Sequence, residues 1–444
     1  MDLQERLTYL ESVRDWQGLV EELEKGIQAV ASNEQKASYH LHLGLVLERK
    51  FLAGVKALKH FQDAYKLNPA LGESLEAARS VYWSLGKLNM VQKLLELELR
   101  SVKDADIATN LLIELGDVLC DLGDYDKATA TYARALSTSQ GASAEAAACL
   151  EDVQAESGSW QAHVAQLVRS ANEATGPARG RLFLRAARVV RRFAPEELES
   201  MLERAYSADA ASRETATLYE GLIGEAGRFE HLEAVQTEVL VATEDRSARA
   251  ALALLFGTRW VSRHQNVDVG SRFLEEAIKL DPESEGAFQY LRDAYGRKGG
   301  DWDRVLTIAE EAATQAGDNG NATFLLAQAG LIAWRQLGNL IRARTCFERL
   351  GQLAPDHPQL RAFEAQIGES LVGGDGAPQG VAANTSPPPV AYDPNDSSPA
   401  KETAQTAPPP VAEPEAPAVD ISPVPPAVEA SPAPAPVEAS PAPA

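Results

Sequence analysis

Residues 111–136 read Leu111-Leu-Ile-Glu-Leu-Gly-Asp-Val-Leu-Cys-Asp-Leu-Gly-Asp-Tyr-Asp-Lys-Ala-Thr-Ala-Thr-Tyr-Ala-Arg-Ala-Leu136, and this stretch decides the fold. Leu112, Leu115, Gly116 and Leu119 fall on one face of a helix. Gly123-Asp124 interrupts the pattern, and Ala128, Tyr132 and Ala135 mark one face of a second helix. Gly116 and Ala128 are small enough to let the two helices approach closely, while Tyr132 is large enough to fill the gap to the next unit. The segment predicts a helical hairpin.

The same pattern returns along the chain. Phe61, Tyr132, Leu202, Leu274 and Phe347 each open a similar nonapeptide, and they lie 71, 70, 72 and 73 residues apart. Between them run Trp16, Leu88, Trp160, Phe229 and Trp302, 72, 72, 69 and 73 residues apart. Two interleaved series with one period predict units of about 35 residues in two alternating flavours. Ten such units, or five tandem double hairpins, fill residues 1–355. Pro69, Pro282 and Pro355 stand where a second helix must stop. No alternation of Val, Ile and Thr suggests a strand, so the body reads as all-α. Leu360, Phe363, Ile367 and Leu371 give residues 356–372 the pattern of a capping helix that starts at Pro358.

Leu115-Gly116, Leu119, Gly123, Tyr125, Ala128, Tyr132 and Ala135 resemble the tetratricopeptide repeat signature at its own spacing. Leu43-Gly44, Leu47, Ala57, Phe61, Ala64 and Pro69 match as well, with one extra residue in the inter-helix turn. Phe256-Gly257, Trp260, Leu274, Ala277 and Pro282 do likewise, although Gly270 replaces the small Ala. The odd-numbered units match weakly and carry Trp16, Trp160 and Trp302 at the turn. The resemblance implies a right-handed α-solenoid with a concave groove that holds peptides or partner helices. Family members that clamp a terminal carboxylate place Lys and Asn on the groove helices. Here Glu114 and Asp117 occupy that region, so the clamp is not expected.

Composition divides the chain. Of 25 Pro, 19 lie in residues 373–444, with one aromatic (Tyr392), one Lys (Lys401) and nine acids. That segment holds too few large apolar residues to offset the entropy of ordering, and it is expected to be a disordered, acidic Pro/Ala-rich tail. Its length lets it reach the groove, so an intramolecular contact with the body is one expectation. The chain as a whole carries a formal charge of −22. An acidic balance disfavours nucleic acid and anionic membrane. No signal peptide and no 18-residue apolar run stand out, so a cytoplasmic location without membrane insertion is expected. Ala-, Arg- and Pro-rich usage suggests a bacterial, high-GC source.

Motifs for catalysis and cofactors are missing. The sequence contains no Gly-x-x-x-x-Gly-Lys-Ser/Thr, no Gly-x-Gly-x-x-Gly, no His-Glu-x-x-His and no Gly-x-Ser-x-Gly. No enzyme activity, cofactor or metal is expected. Cys120, Cys149 and Cys346 fall on apolar faces and read as buried inert thiols. His40 and His60 can meet across a hairpin, but two ligands make a weak metal site. Trp16, Trp160 and Trp302 read as packing groups at fixed turn positions rather than a stacking platform.

One cluster departs from the acidic background. Arg181, Arg185, Arg188 and Arg192 are spaced 4, 3 and 4 and form a stripe along one helix, with Arg179 and Arg191 beside it. On the family pattern this helix lines the groove. Arg suits carboxylate or phosphate, so the four are candidate partner-binding residues for an acidic or phosphorylated peptide. The alternative is structural, with Glu196, Glu197, Glu199, Glu203 and Glu220 near enough in sequence to pair with the stripe. Asn110, Glu114, Asp117 and Asp121 occupy the corresponding face of the fourth unit, so the groove is expected to change sign along its length. The functional expectation is a non-enzymatic scaffold for partner proteins or peptides. The rivals are an envelope- or motility-complex assembly factor with the tail as spacer, and a peptide-sensing regulatory protein.

Overall fold

The computed structural model describes residues 2–317 and 322–372. The tail expected at 373–444 lies outside the described residues. Among these residues, twenty helices pair as ten antiparallel hairpins and one more follows. The first five hairpins are α1 (Leu3–Ser12) with α2 (Trp16–Ala29), α3 (Asn33–Phe51) with α4 (Gly54–Leu67), α5 (Glu73–Ser84) with α6 (Leu88–Ser101), α7 (Ala105–Asp121) with α8 (Tyr125–Thr138), and α9 (Ala144–Val153) with α10 (Trp160–Glu173). The second five are α11 (Gly176–Phe193) with α12 (Leu198–Ala208), α13 (Arg213–Glu225) with α14 (Phe229–Ala242), α15 (Arg246–Ser262) with α16 (Val267–Leu280), α17 (Glu285–Leu291) with α18 (Trp302–Ala316), and α19 (Thr323–Leu331) with α20 (Leu340–Leu353). Helix α21 (Pro358–Ile367) closes the array, and π-helical segments extend α17 over Arg292–Lys298 and α19 over Ile332–Gln336. The body is an all-α solenoid of hairpins. No helix among the described residues is long and apolar enough to cross a membrane.

Capping groups define the units. Ser32, Asp104, Ser143, Ser212 and Asp245 open first helices by accepting backbone N–H groups in the first turn. Asp15, Asp124, Asn266, Asp301 and Asn339 do the same for second helices. The turn between them comes in two lengths. The Asp124 N–H reaches back five residues to the Leu119 carbonyl at 2.9 Å, and Lys87 does the same to Tyr82. In the second hairpin the Ala53 N–H reaches back six, to Leu47, and Asn266, Asp301 and Asn339 repeat this six-residue span. The extra residue is taken up at the end of the first helix: Leu52 turns left-handed at φ 51, and the ninth and tenth hairpins widen into their π segments.

Close packing follows the small residues. A Cβ on Gly116 would run into the Tyr132 ring, and one on Gly44 or Gly330 would meet Phe61 or Phe347. The three turn tryptophans pack within the fold: Trp16 joins the core, Trp160 stacks on Phe193 at 5.8 Å, and Trp302 lies against Gly296. Helix α4 stops at Leu67, α16 at Leu280 and α20 at Leu353, each two residues before its proline. Phe363 of α21 stacks on Phe347 at 4.6 Å, and Gly368 at φ 71 ends the helix before Leu371.

The open groove implied by the resemblance is occupied by the chain itself. Helix α3 packs on α17, and Gly286 sits directly against the Arg49 carbonyl. Glu285, buried at 4% exposure, accepts Lys50 at 2.7 Å and Arg14 at 3.0 Å. Helix α5 packs on α13, where the Thr217 hydroxyl donates to the Trp83 carbonyl at 3.0 Å. The first two hairpins and the last three therefore share one apolar core that runs from Leu7 through Leu43 to Phe288, Leu325 and Phe363.

Candidate functional site

The arginine stripe lies on α11, and each of its charges meets a partner from an earlier repeat. Arg188 is nearly buried. Its Nε and Nη2 donate to the two carboxylate oxygens of Asp121, both at 2.9 Å, and its Nη1 lies 2.9 Å from Asp117. The Tyr132 hydroxyl donates to the same Asp117 oxygen at 2.6 Å. Arg185 forms a second bidentate pair with Asp152 at 2.5 and 2.9 Å and donates to the Ala148 carbonyl. Asp152 also meets His163 at 2.7 Å. Arg192 donates to the Val153 carbonyl at 3.0 Å and lies over the rings of Tyr125 and Phe193. Arg181 keeps 60% of its side chain exposed and reaches Glu145 at 2.5 Å.

The structure therefore corrects the expected pairing. None of these four arginines pairs with Glu196, Glu197, Glu199, Glu203 or Glu220 among the described residues. Glu220 belongs to a separate buried group with Arg259 at 3.1 Å, the Tyr206 hydroxyl at 2.9 Å and Arg263. Within the stripe, Arg188 meets the acids Asp117 and Asp121 of α7, whereas Arg181 and Arg185 meet Glu145 and Asp152 of the intervening α9. Glu114 of α7 accepts Arg79, the Trp83 indole N–H at 2.8 Å and Arg213 at 2.8 Å. Asp152 and Glu145 were not picked out from sequence. Their signal is weak, because they sit seven residues apart on a short Ala-rich helix and form no charged stripe of their own.

Burial dominates the titration of this region. It pushes the Asp117 carboxyl up against the pull of Arg188, and the flanking acids drive the Arg188 guanidinium well above its ordinary range despite its own burial. Glu214, at the start of α13, is pushed up to about 7 by burial and then by the charge of Asp117. A cavity of about 310 Å³ lies between Arg181, Arg185, Arg188, Glu145, Asp117 and Glu214. The three thiols are buried, and burial raises Cys120 and Cys346 to about 12 and Cys149 higher still, so they are poor nucleophiles.

His40 and His60 do meet, with their Nδ1 atoms 3.1 Å apart, and burial lowers both pKa values. No group of three or more metal-ligating side chains gathers among the described residues.

Residues 109–141 match the family model described as tetratricopeptide repeat. No curated protein sequence matches the chain. Among solved structures, a monomeric mutant of IFIT1 with Gppp-AAAA is 13% identical, with a TM-score of 0.23, and covers 76% of this chain and 68% of its own. The TPR domain of P58(IPK) is 11% identical, with a TM-score of 0.19, and covers 82% of this chain and 96% of its own. With a tetratricopeptide repeat at 109–141 set in a continuous stack of ten hairpins, the chain is a TPR-like helical-repeat protein.

Proposed function

We propose that the chain is a non-enzymatic scaffold that binds partner proteins or peptides. The observation that carries this reading is the stack of ten hairpins with a tetratricopeptide repeat among them, because stacked hairpins string helix surfaces into one extended face. Three buried free thiols support a reducing, cytoplasmic setting. Within this reading, contact with an acidic partner falls to Arg181. Its side chain is 60% exposed, whereas Arg185 and Arg188 are largely covered and held by carboxylates, and Arg192, although exposed, is engaged by the Val153 carbonyl and the Tyr125 and Phe193 rings.

The test is affinity purification of the full-length chain followed by mass spectrometry, with Arg181→Glu run in parallel. The reading expects recovered proteins, and it expects Arg181→Glu to lose the most acidic of them while its melting temperature stays unchanged. A folded wild-type chain that recovers no protein would overturn the scaffold reading. An unchanged partner list for Arg181→Glu would remove the stripe from it.

A further inference from the structure

We propose that the seam between the first two hairpins and the ninth binds an acidic peptide that carries a large apolar side chain beside its carboxylates. This rests on the scaffold reading and gives the partner a chemistry.

The seam exists because α3 packs on α17. Beside that contact lies a cavity of about 780 Å³, within the usual size of ligand pockets. Its walls come from α2, from the end of α3, from α4 and from the π segment that follows α17. The floor is apolar, formed by Val20, Leu47, Phe51, Leu52, Tyr290 and Ala294, all only partly buried. A floor of this kind is left incompletely covered by the fold and favours an apolar side chain from outside.

The walls are basic. Lys56 and Lys59 stand one turn apart on α4, and Arg297 and Lys298 face them from the π segment. Only Glu24 and Asp293 offset these four cations. Asp293 is engaged with Arg297 at 3.4 Å, whereas Lys56, Lys59 and Lys298 pair with no carboxylate among the described residues. In a chain of net charge −22, three unpaired lysines around one cavity are a local reversal of sign. Such a reversal attracts an acidic ligand that the remaining surface repels.

The π segment contributes to the shape. Gly296 is buried under the Trp302 ring, which fixes one side of this widened turn, while Arg297 and Lys298 are exposed on the cavity. Widened turns of this type recur at binding sites. A nucleic acid fits less well, because a polyanion would meet the acidic field of the rest of the chain.

The experiment is fluorescence polarisation with the full-length chain and a fluorescein-labelled peptide of four Glu-Leu-Asp triplets. Controls are the same peptide with Lys in place of its acids, the same peptide with Gly in place of Leu, and a labelled single-stranded oligonucleotide. The expected result is binding of the acidic peptide alone, weakened as salt rises. K56E/K59E should weaken it at least about tenfold, and K103E, at an exposed lysine away from the cavity, should leave it unchanged. Lys298→Glu, on the opposite wall, supplies the same readout should the double variant fail to fold by circular dichroism.

Absence of peptide binding, equal binding of the Gly peptide or the oligonucleotide, or indifference to both lysine variants would overturn the proposal. The affinity purification separates this outcome from failure of the scaffold reading. Recovered partners together with a silent seam remove the seam alone, whereas a chain that recovers no protein removes both.

Discussion

Arg188 of α11 and Asp121 of α7, 67 residues apart in sequence, form a bidentate ion pair with both contacts at 2.9 Å and with the Asp121 side chain sealed from solvent. The geometry orders the consequences of substitution along the stripe. Arg188→Met leaves Asp117 and Asp121 buried without a counter-charge and should destabilise the fold by about 3–5 kcal/mol. Arg181→Met removes an exposed pair and should cost less than about 1 kcal/mol. Chemical denaturation of the two variants checks the ranking, and equal effects would contradict the burial difference.

Close approach at Gly116 predicts a packing penalty. The Tyr132 ring occupies the space a methyl group would need, so Gly116→Ala should destabilise by about 1–3 kcal/mol. Gly72 has nothing within 4 Å of an added Cβ and a right-handed φ of −58. Gly72→Ala should be neutral or stabilising by less than about 1 kcal/mol. Thermal melts of the pair separate a steric effect from a general intolerance of substitution.

Two glutamates of α13 give opposite pH dependences. Burial raises Glu220, but Arg259, His264 and Arg263 outweigh it and bring it to about 2. A depressed carboxylate contributes stability above its unfolded value near 4.5, and that contribution disappears as the pH falls from there to about 2. Glu214 is raised to about 7, so the folded state holds a proton that the unfolded state releases near 4.5. Its contribution is present at pH 4.5 and is lost as the pH rises to 7. Glu214→Gln should therefore exceed wild type by about 1–3 kcal/mol at pH 8 and match it at pH 4. Glu220→Gln should be destabilised at pH 7 and should lack part of the acid slope. Denaturation midpoints across pH 2–8 read both.

Gly286 controls the fold-back. An added Cβ there meets the Arg49 carbonyl, a backbone atom that cannot swing aside. Gly286→Ala should separate α3 from α17 and weaken the Lys50 and Arg14 pairs to Glu285, at about 1–3 kcal/mol. Small-angle scattering should show a larger radius of gyration, and limited proteolysis should become faster near Leu52. An unchanged radius would mean that other seam contacts hold the closure.

The parts of this fold that depend on neighbours in sequence were legible before the structure. Gly116 with Tyr132, Gly123-Asp124 at the turn and Pro69, Pro282 and Pro355 past the helix ends each act within about twenty residues, and the structure uses each as read. Even the extra residue of the second hairpin was visible, although only the structure shows it absorbed at Leu52. The arginine stripe was legible as a stripe. Its partners were not, because Asp152 lies 33 residues before Arg185 and Asp121 lies 67 before Arg188, beyond any local rule. The nearby glutamates were the reasonable expectation from sequence, and Glu220 was already engaged by Arg259. The lysine cavity escaped for the same reason: Lys56 and Arg297 have no relation in sequence, and only the fold-back places them on one cavity.

The contacts between opposite helices also govern how the molecule comes apart. An array in which each repeat touches only its neighbours unzips from its ends, and it tolerates gain or loss of a unit. Here α3 packs on α17, α5 packs on α13 and Arg188 of α11 holds Asp117 and Asp121 of α7, so contacts tie repeats that are not neighbours in sequence. Removing a hairpin between such partners would shift Glu285 away from Lys50 and Arg14, or Arg188 away from Asp121. The chain should consequently melt in a single concerted transition, and its count of repeats is locked by its own interior.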